Sequence, residues 1–279
     1  MIHGVAMNPG ETRPFTISTV CLRRYEFSHA LRVARDIGFD AVDVVGLRGL
    51  CEHVPVNGTR ADFREAAAQF VASGLRAASV NADPGSFDGF DDLDDVHGRV
   101  DRLLEFAVAT STPLLVLPAG EKTDVRVTPP PVGLLAEGFN RAAERARSAG
   151  VRLAVEAPYF GRPIDRVDRA SALLDALDPD IQLAFDVSHI EAADESVIDA
   201  WNTFMPRIGI VHFRDAVSGD IRRVIGRGRV DFGGVMHAID SSDYGGAIVL
   251  ELETRNSPYA SKEDEVNAAV EYLDARRGR

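Results

Sequence analysis

The sequence is short of cysteine, with only Cys21 and Cys51. Their spacing matches neither a zinc-binding pattern nor a disulfide framework, which excludes a thiolate metal domain and a cross-linked mini-domain. Long apolar runs are missing as well; none approaches the ~20 residues that a membrane-spanning helix needs. The opening MIHGVAMNPGETRPF has neither the basic nor the apolar region of a signal peptide. Positive charge is scarce, with 31 Lys and Arg against 43 Asp and Glu and a net charge of −12. That balance argues against a general nucleic-acid binder. The expectation is a cytoplasmic protein that works neither in a membrane nor on nucleic acid. No shift in composition marks a second domain, so residues 15–279 are expected to form one domain behind a loose lead-in at 1–14.

What the sequence does have is a repeated ending. Four apolar runs between Val151 and Glu253 each close on a polar residue: VRLAVEAP on Glu156, IQLAFDVSH on Asp186 and His189, RIGIVHFRD on His212 and Asp215, and GAIVLELET on Glu251 and Glu253. Glu156 and Asp186 lie 30 residues apart, and Asp186 and His212 lie 26 apart. A strand–helix unit of a (β/α)8 TIM barrel takes about 31 residues, and the whole barrel about 250. The earlier chain fits the same period. FTISTV at 15–20, AVDVV at 41–45, LRAASVNAD from Leu75 and PLLVLPAG from Pro113 read as strands. Glu26–Ile37, Arg60–Ser73, Leu93–Thr110 and the stretch from Pro129 to Ala149 have helical spacing. Glycine stops three of these helices, at Gly38, Gly74 and Gly150. Later helices are expected at Ser171–Leu177, Ser196–Phe204, Phe232–Asp240 and Lys262–Arg276. The pattern predicts a parallel α/β sheet closed into a single-domain (β/α)8 TIM barrel.

One polar residue at one strand end is usually a side chain meeting water. Four in consecutive units, each behind an apolar run, point to a shared site at the top of the barrel. Glu156, Asp186, His212 and Glu251 supply three carboxylates and one imidazole. Such a set suits one divalent metal ion, Mn²⁺ first, with Mg²⁺, Co²⁺ or Zn²⁺ as alternatives. Glu253 shares the strand parity of Glu251 and competes with it; Glu251 is preferred because it follows the apolar run directly. Asp215 reads either as a carboxylate that orients a ligand imidazole or as a solvated loop acid. His189 could be a fifth ligand, a substrate contact or a helix cap, and substrate contact is preferred. His53 and Asn81 sit where substrate contacts occur, or where they satisfy local backbone groups. The loop from Arg214 to Asp231 is long and basic. Arg223, Arg227 and Arg229 in it suit an anionic substrate group, or else pair with surface acids.

As a set, VEAP, FDVSH, VHFRD, GRGRVDF at 226–232 and VLELETRNS resemble the xylose isomerase-like TIM-barrel superfamily of sugar isomerases and epimerases, over nearly the whole chain. The resemblance implies that Glu156, Asp186, His212 and Glu251 hold one divalent metal and that His189 touches substrate. The same superfamily includes endonuclease IV, which needs further histidines after the third and fourth strands. Those places read SVNAD and LVLPAG here, and Asp220 and Arg222 stand where that enzyme has Asp and His.

The expected substrate is a small sugar. The metal polarises the carbonyl of an α-hydroxy ketone, one of Glu156 and Glu251 removes the neighbouring proton, and a cis-enediolate forms. A proton returned to the other face gives epimerisation; returned to the other carbon, isomerisation. An inosose-type dehydratase on the same site is the alternative. A metal-dependent hydrolase of the endonuclease IV type, or a sugar-binding barrel without catalysis, are the further ones. Oligomeric state is left open, a homo-oligomer included.

Overall fold

The computed structural model describes residues 15–89, 91–120 and 131–276. The lead-in expected at 1–14, and Pro129 and Pro130, lie outside the described residues. Eight barrel strands run Thr16–Ser18 (β1), Ala41–Leu47 (β2), Arg76–Ala82 (β3), Leu114–Pro118 (β4), Arg152–Glu156 (β5), Gln182–Asp186 (β6), Ile208–Phe213 (β7) and Ala247–Leu250 (β8). Each pairs in parallel with its chain neighbour, and β1 pairs with both β2 and β8, which closes the sheet. The helices are Phe27–Asp36 (α1), Arg60–Ser73 (α2), Leu93–Ala109 (α3), Val132–Ser148 (α4), Val167–Ala176 (α5), Val187–Ala192 (α6), Val197–Phe204 (α7), Phe232–Asp240 (α8) and Lys262–Asp274 (α9). This is a single (β/α)8 TIM barrel. Among the described residues no helix is long and apolar enough to cross a membrane.

Local signals account for the boundaries. Thr59 and Asp62 cap α2 reciprocally: Asp62 accepts from the Thr59 amide at 2.7 Å, and Thr59 accepts from the Asp62 amide at 3.4 Å. Gly74 ends the helix with φ +73°, and Gly150 follows α4 with φ +71°. That left-handed turn costs a glycine little, and it sends the chain back into the next strand. FTISTV is a strand only as far as Ser18, because Thr19–Leu22 winds into a 3-10 turn capped by the Ser18 hydroxyl. A helix not expected from the sequence follows β6 directly: α6 starts at Val187, and Asp186 is its N-cap, accepting from the Ser188 amide.

Strand parity sorts the side chains. Phe185, Phe213 and Leu250 face outward and pack with Phe70, Phe106 and Phe139 under the helices. Val116, Ala154, Ala184, Ile210 and Val249 face inward and form their own small cluster inside the barrel. Two residues further along β5 to β8, on the same inward parity, stand Glu156, Asp186, His212 and Glu251.

Candidate metal centre and active site

One ligand-type atom from each of Glu156, Asp186, His212 and Glu251 lies within 4.8 Å of every other, and all four residues are buried. His212 sits between two carboxylates: its Nδ1 is 3.0 Å from Glu251 Oε2 and 3.5 Å from Glu156 Oε1. Neither approach has hydrogen-bond geometry. Glu156 Oε1, Glu251 Oε2 and both His212 ring nitrogens are buried without a hydrogen-bond partner. Buried polar atoms are rarely left this way, and a group of them converging on one point calls for a bound partner.

The charges say the same. Burial, reinforced by Glu251, pushes the Glu156 carboxyl up to about 7. Burial alone would depress the His212 imidazole, but Glu251 and Glu156 more than offset it and raise it well above its ordinary value. Both shifts run the same way: crowding of buried carboxylates around His212 favours a bound proton in the cluster. A divalent cation would displace that proton and satisfy the orphaned atoms together. Three carboxylates and one imidazole fit Mn²⁺, Mg²⁺, Co²⁺ or Zn²⁺.

Asp186 differs from the other three. Its Oδ1 accepts from the Ser188 amide at 2.7 Å and from the Ser188 hydroxyl at 2.6 Å, and its Oδ2 accepts from Arg214 Nη2. Burial works to raise its carboxyl, but Arg214, His189 and His212 together override burial and hold it below the usual carboxylate range. Asp186 is therefore an anion held in place.

Arg214 is the residue that sequence reasoning missed. Among the described residues it is the largest side chain that is fully buried, at 1% exposure, and it binds Ser188, Glu253 and Asp186. The signal was available: Arg214 follows His212 by two residues, the parity that faces inward. Glu253 is not in the ligand cluster; its Oε1 accepts from Arg214 Nη1 at 2.7 Å.

The remaining sites divide. His189 is fully buried on α6, with Nε2 3.9 Å from Glu156 Oε1 and 3.8 Å from Asp186 Oδ2. Burial pushes its imidazole down to about 3, so it is neutral. Asn81, on β3, is buried, and neither its Oδ1 nor its Nδ2 has a partner. His53 faces local groups instead: Nε2 lies 3.0 Å from the Tyr25 carbonyl and Nδ1 3.4 Å from Cys51 Sγ.

Asp215 and the loop arginines meet other groups than the ligand cluster. Asp215 orients no imidazole; it pins its own loop, accepting from the amides of Ala216, Gly226, Gly228 and Val230. Gly228 is required there, since a Cβ would lie 2.1 Å from Asp215 Oδ1. The arginines of that loop have surface partners or face solvent. Arg229 pairs with Glu191 and Asp194 at the surface, Arg223 pairs with Asp220, and Arg227 is exposed. In a chain rich in acids, exposed guanidinium groups find carboxylates nearby.

A closed eight-stranded barrel with a buried carboxylate–imidazole cluster at the C-terminal ends of its strands defines a TIM-barrel protein with its site at the usual face. A model of the xylose isomerase-like TIM barrel family matches residues 31–276, and the chain belongs to that family. Inosose dehydratases are among the curated relatives. The one from Lacticaseibacillus casei is 28% identical over 160 residues, covering 50% of this chain and 53% of that protein. The one from Salmonella typhimurium is 27% identical over 145 residues, covering 45% and 48%. The chain thus spans about half the length of the curated relatives it matches. Among solved structures, the 3-keto-D-glucoside 4-epimerase of E. coli superposes with a TM-score of 0.74 at 17% identity, over 93% of this chain and all of that one. An L-ribulose 3-epimerase gives 0.75 at 16% identity, over 95% and 96%. The IOLI protein, solved with a zinc atom, gives 0.75 at 14%, over 95% and 99%. These superpositions show a shared fold.

Proposed function

We propose that this chain is a metal-dependent enzyme that moves a proton at the carbon beside the carbonyl of a sugar-like hydroxy ketone, as an epimerase or isomerase. The observation that carries the reading is the set of buried, unpartnered atoms on Glu156, His212 and Glu251, with Asp186 beside them. Bound there, a divalent cation supplies Lewis acidity, polarising a carbonyl and acidifying the adjoining C–H. Mn²⁺ is our first choice of ion.

The protein's own residues do the rest. Glu156 and Glu251 flank His212 from β5 and β8, so a substrate at the cluster has a carboxylate on either side. One takes the proton and the other returns one to the opposite face. Asp186, held as an anion by Arg214 and Ser188, has no proton to give and serves as a fixed ligand. Asn81 brings an amide with a free donor and a free acceptor, fit for a substrate hydroxyl. His189 supplies a neutral imidazole next to Glu156.

A second reading, dehydration of an inosose, is favoured by the names of the curated relatives. It uses the same base and differs in losing hydroxide instead of regaining a proton. The deciding experiment counts metal by elemental analysis and then incubates the loaded protein with ketoses and inososes in D₂O. One equivalent of metal and deuterium beside the carbonyl are expected; loss of one water from the product's mass selects the dehydratase. Three equivalents of zinc, or no exchange and no water loss with any substrate tried, would overturn the proposal.

A further inference from the structure

Helix α4 shows water what an outer barrel helix ordinarily shows: its exposed stripe reads Glu137, Arg141, Glu144 and Ser148. Helix α2 does not. Its exposed residues at helical spacing are Arg60, Arg64, Ala68, Val71 and Ala72, so the stripe turns apolar over its second half. Helix α3 ends the same way, in Glu105, Val108 and Ala109. Val71 and Val108 are 60% and 55% exposed, more than any other large apolar side chain among the described residues. Single exposed apolar side chains are ordinary, but these two flank one surface. Val71 and Ala109 line a groove of about 490 Å³ between α2 and α3, with the buried rings of Phe63 and Phe106 also in its wall. Val108 and Ala109 line the next groove, of about 520 Å³, between α3 and α4. Ala109 belongs to both, so apolar surface continues from α2 across α3.

Charge says what covers it. A net charge of −12 sets copies of this chain against one another over most of their surface. This face is an exception: the charged groups lining the two grooves are Arg60, Arg64 and Arg145 against Asp101 and Glu105. Arg145 Nη1 donates to Asp101 Oδ2 at 2.8 Å, which settles that pair. Arg60 and Arg64 on α2 and Glu105 on α3 are left, opposite signs on the two sides of one groove. Within the chain, Arg60 Nη2 reaches across to Glu105 Oε1 at 3.0 Å, and both side chains are exposed. We propose that α2 and α3 are the surface through which this chain pairs with a second copy of itself. A two-fold axis lying along the groove turns α2 of one copy onto α3 of the other. Arg60 and Arg64 then meet the partner's Glu105, and the partner's arginines meet Glu105 in return. Val71 and Ala72 pack on the partner's Val108 and Ala109. The surface lies on the flank of the barrel, apart from the ligand cluster, and does not depend on what the cluster binds.

Sedimentation velocity on the full chain should show a dimer in wild type. Val71→Asp should raise its dissociation constant by about tenfold or more. Arg60→Glu with Arg64→Glu sets acid against acid in a homodimer, and Glu105→Lys sets base against base, so each of these variants alone should run as a monomer. Mixed in equal amounts, the two should dimerise again, because every crossed contact then joins opposite charges. Amide exchange of wild type needs no variant: raising the protein concentration should slow exchange in α2 and α3. A wild type that stays monomeric at its highest soluble concentration overturns the proposal. So does a dimer indifferent to all three variants, a mixture that stays monomeric, or a concentration-dependent protection that falls outside α2 and α3.

Discussion

Strands β5 to β8 and strands β1 to β3 build one barrel but fill its interior in opposite ways. Along β5 to β8 the lower inward positions are apolar, and the upper ones are Glu156, Asp186, His212 and Glu251. Along β1 to β3 the inward positions include the polar residues Ser18, Asp43, Ser79 and Asn81. Asp43 is as buried as any ligand, yet its needs are met: Oδ2 accepts from Ser18 at 2.8 Å and Oδ1 from Ser79 at 2.6 Å. Glu156 Oε1 and Glu251 Oε2 accept from nothing. Burial of a carboxyl is therefore not what distinguishes a site from scaffold; the difference is whether neighbouring strands satisfy it. Asn81 crosses the division, since it stands on the scaffold side with both amide atoms unpartnered.

The comparison breaks most visibly at the two glutamates. Glu156→Gln and Glu251→Gln should each lower deuterium exchange into a ketose by about 10³-fold or more, within the range lost with a general base. A product that forms with no solvent deuterium in wild type would mean hydride shift and would remove both from the base role.

Asp43 sharpens it from the other side. Burial raises its carboxyl from 3.8 to about 6, so the unfolded chain releases that proton first. Between those values the folded state binds more protons, and stability falls as pH rises. The loss is complete above about pH 6 and on the order of 2–3 kcal/mol. Asp43→Asn keeps one acceptor and adds a donor for the serine hydroxyls. In chelator-treated protein it should resist urea better than wild type at about pH 8 and equally at about pH 4. A variant that is weaker at both would show that the carboxylate itself is wanted there.

Asn81→Ala should leave metal content unchanged and raise KM by about tenfold, the worth of a hydrogen bond or two to substrate. Unchanged kinetics would return Asn81 to the scaffold. The smallest effect is expected at Arg229, whose exposed pairs with Glu191 and Asp194 are of the kind that contribute little. Arg229→Ala should alter neither KM nor metal content, and a raised KM would bring the basic loop back into the site.

Much of this was legible because two periodicities survive in the chain. Apolar runs followed by Gly38, Gly74 and Gly150 mark where helices hand over to strands, since few other residues take the left-handed turn cheaply. The ligand set is legible from repeated spacing, because each barrel unit must bring its strand end back to the same face. Boundaries were harder. FTISTV has strand propensity throughout, but the Ser18 hydroxyl caps a turn at Thr19. Asp186 and Ser188 start a helix, Val187–Ala192, that is absent from the helices expected from the sequence.

The sequence by itself determined the barrel, its strand ends and the four residues on its inward parity, because pleat and repeat length are local properties carried by each unit. Only the tertiary structure decided what those residues meet. Asp215 and His212 lie three apart, yet one ties down a loop and the other stands in the cluster. Arg214, 28 residues from Asp186 and 39 from Glu253, joins them in one buried network. Which charge is compensated, and which is left open, depends on contacts between distant strands that no local pattern encodes.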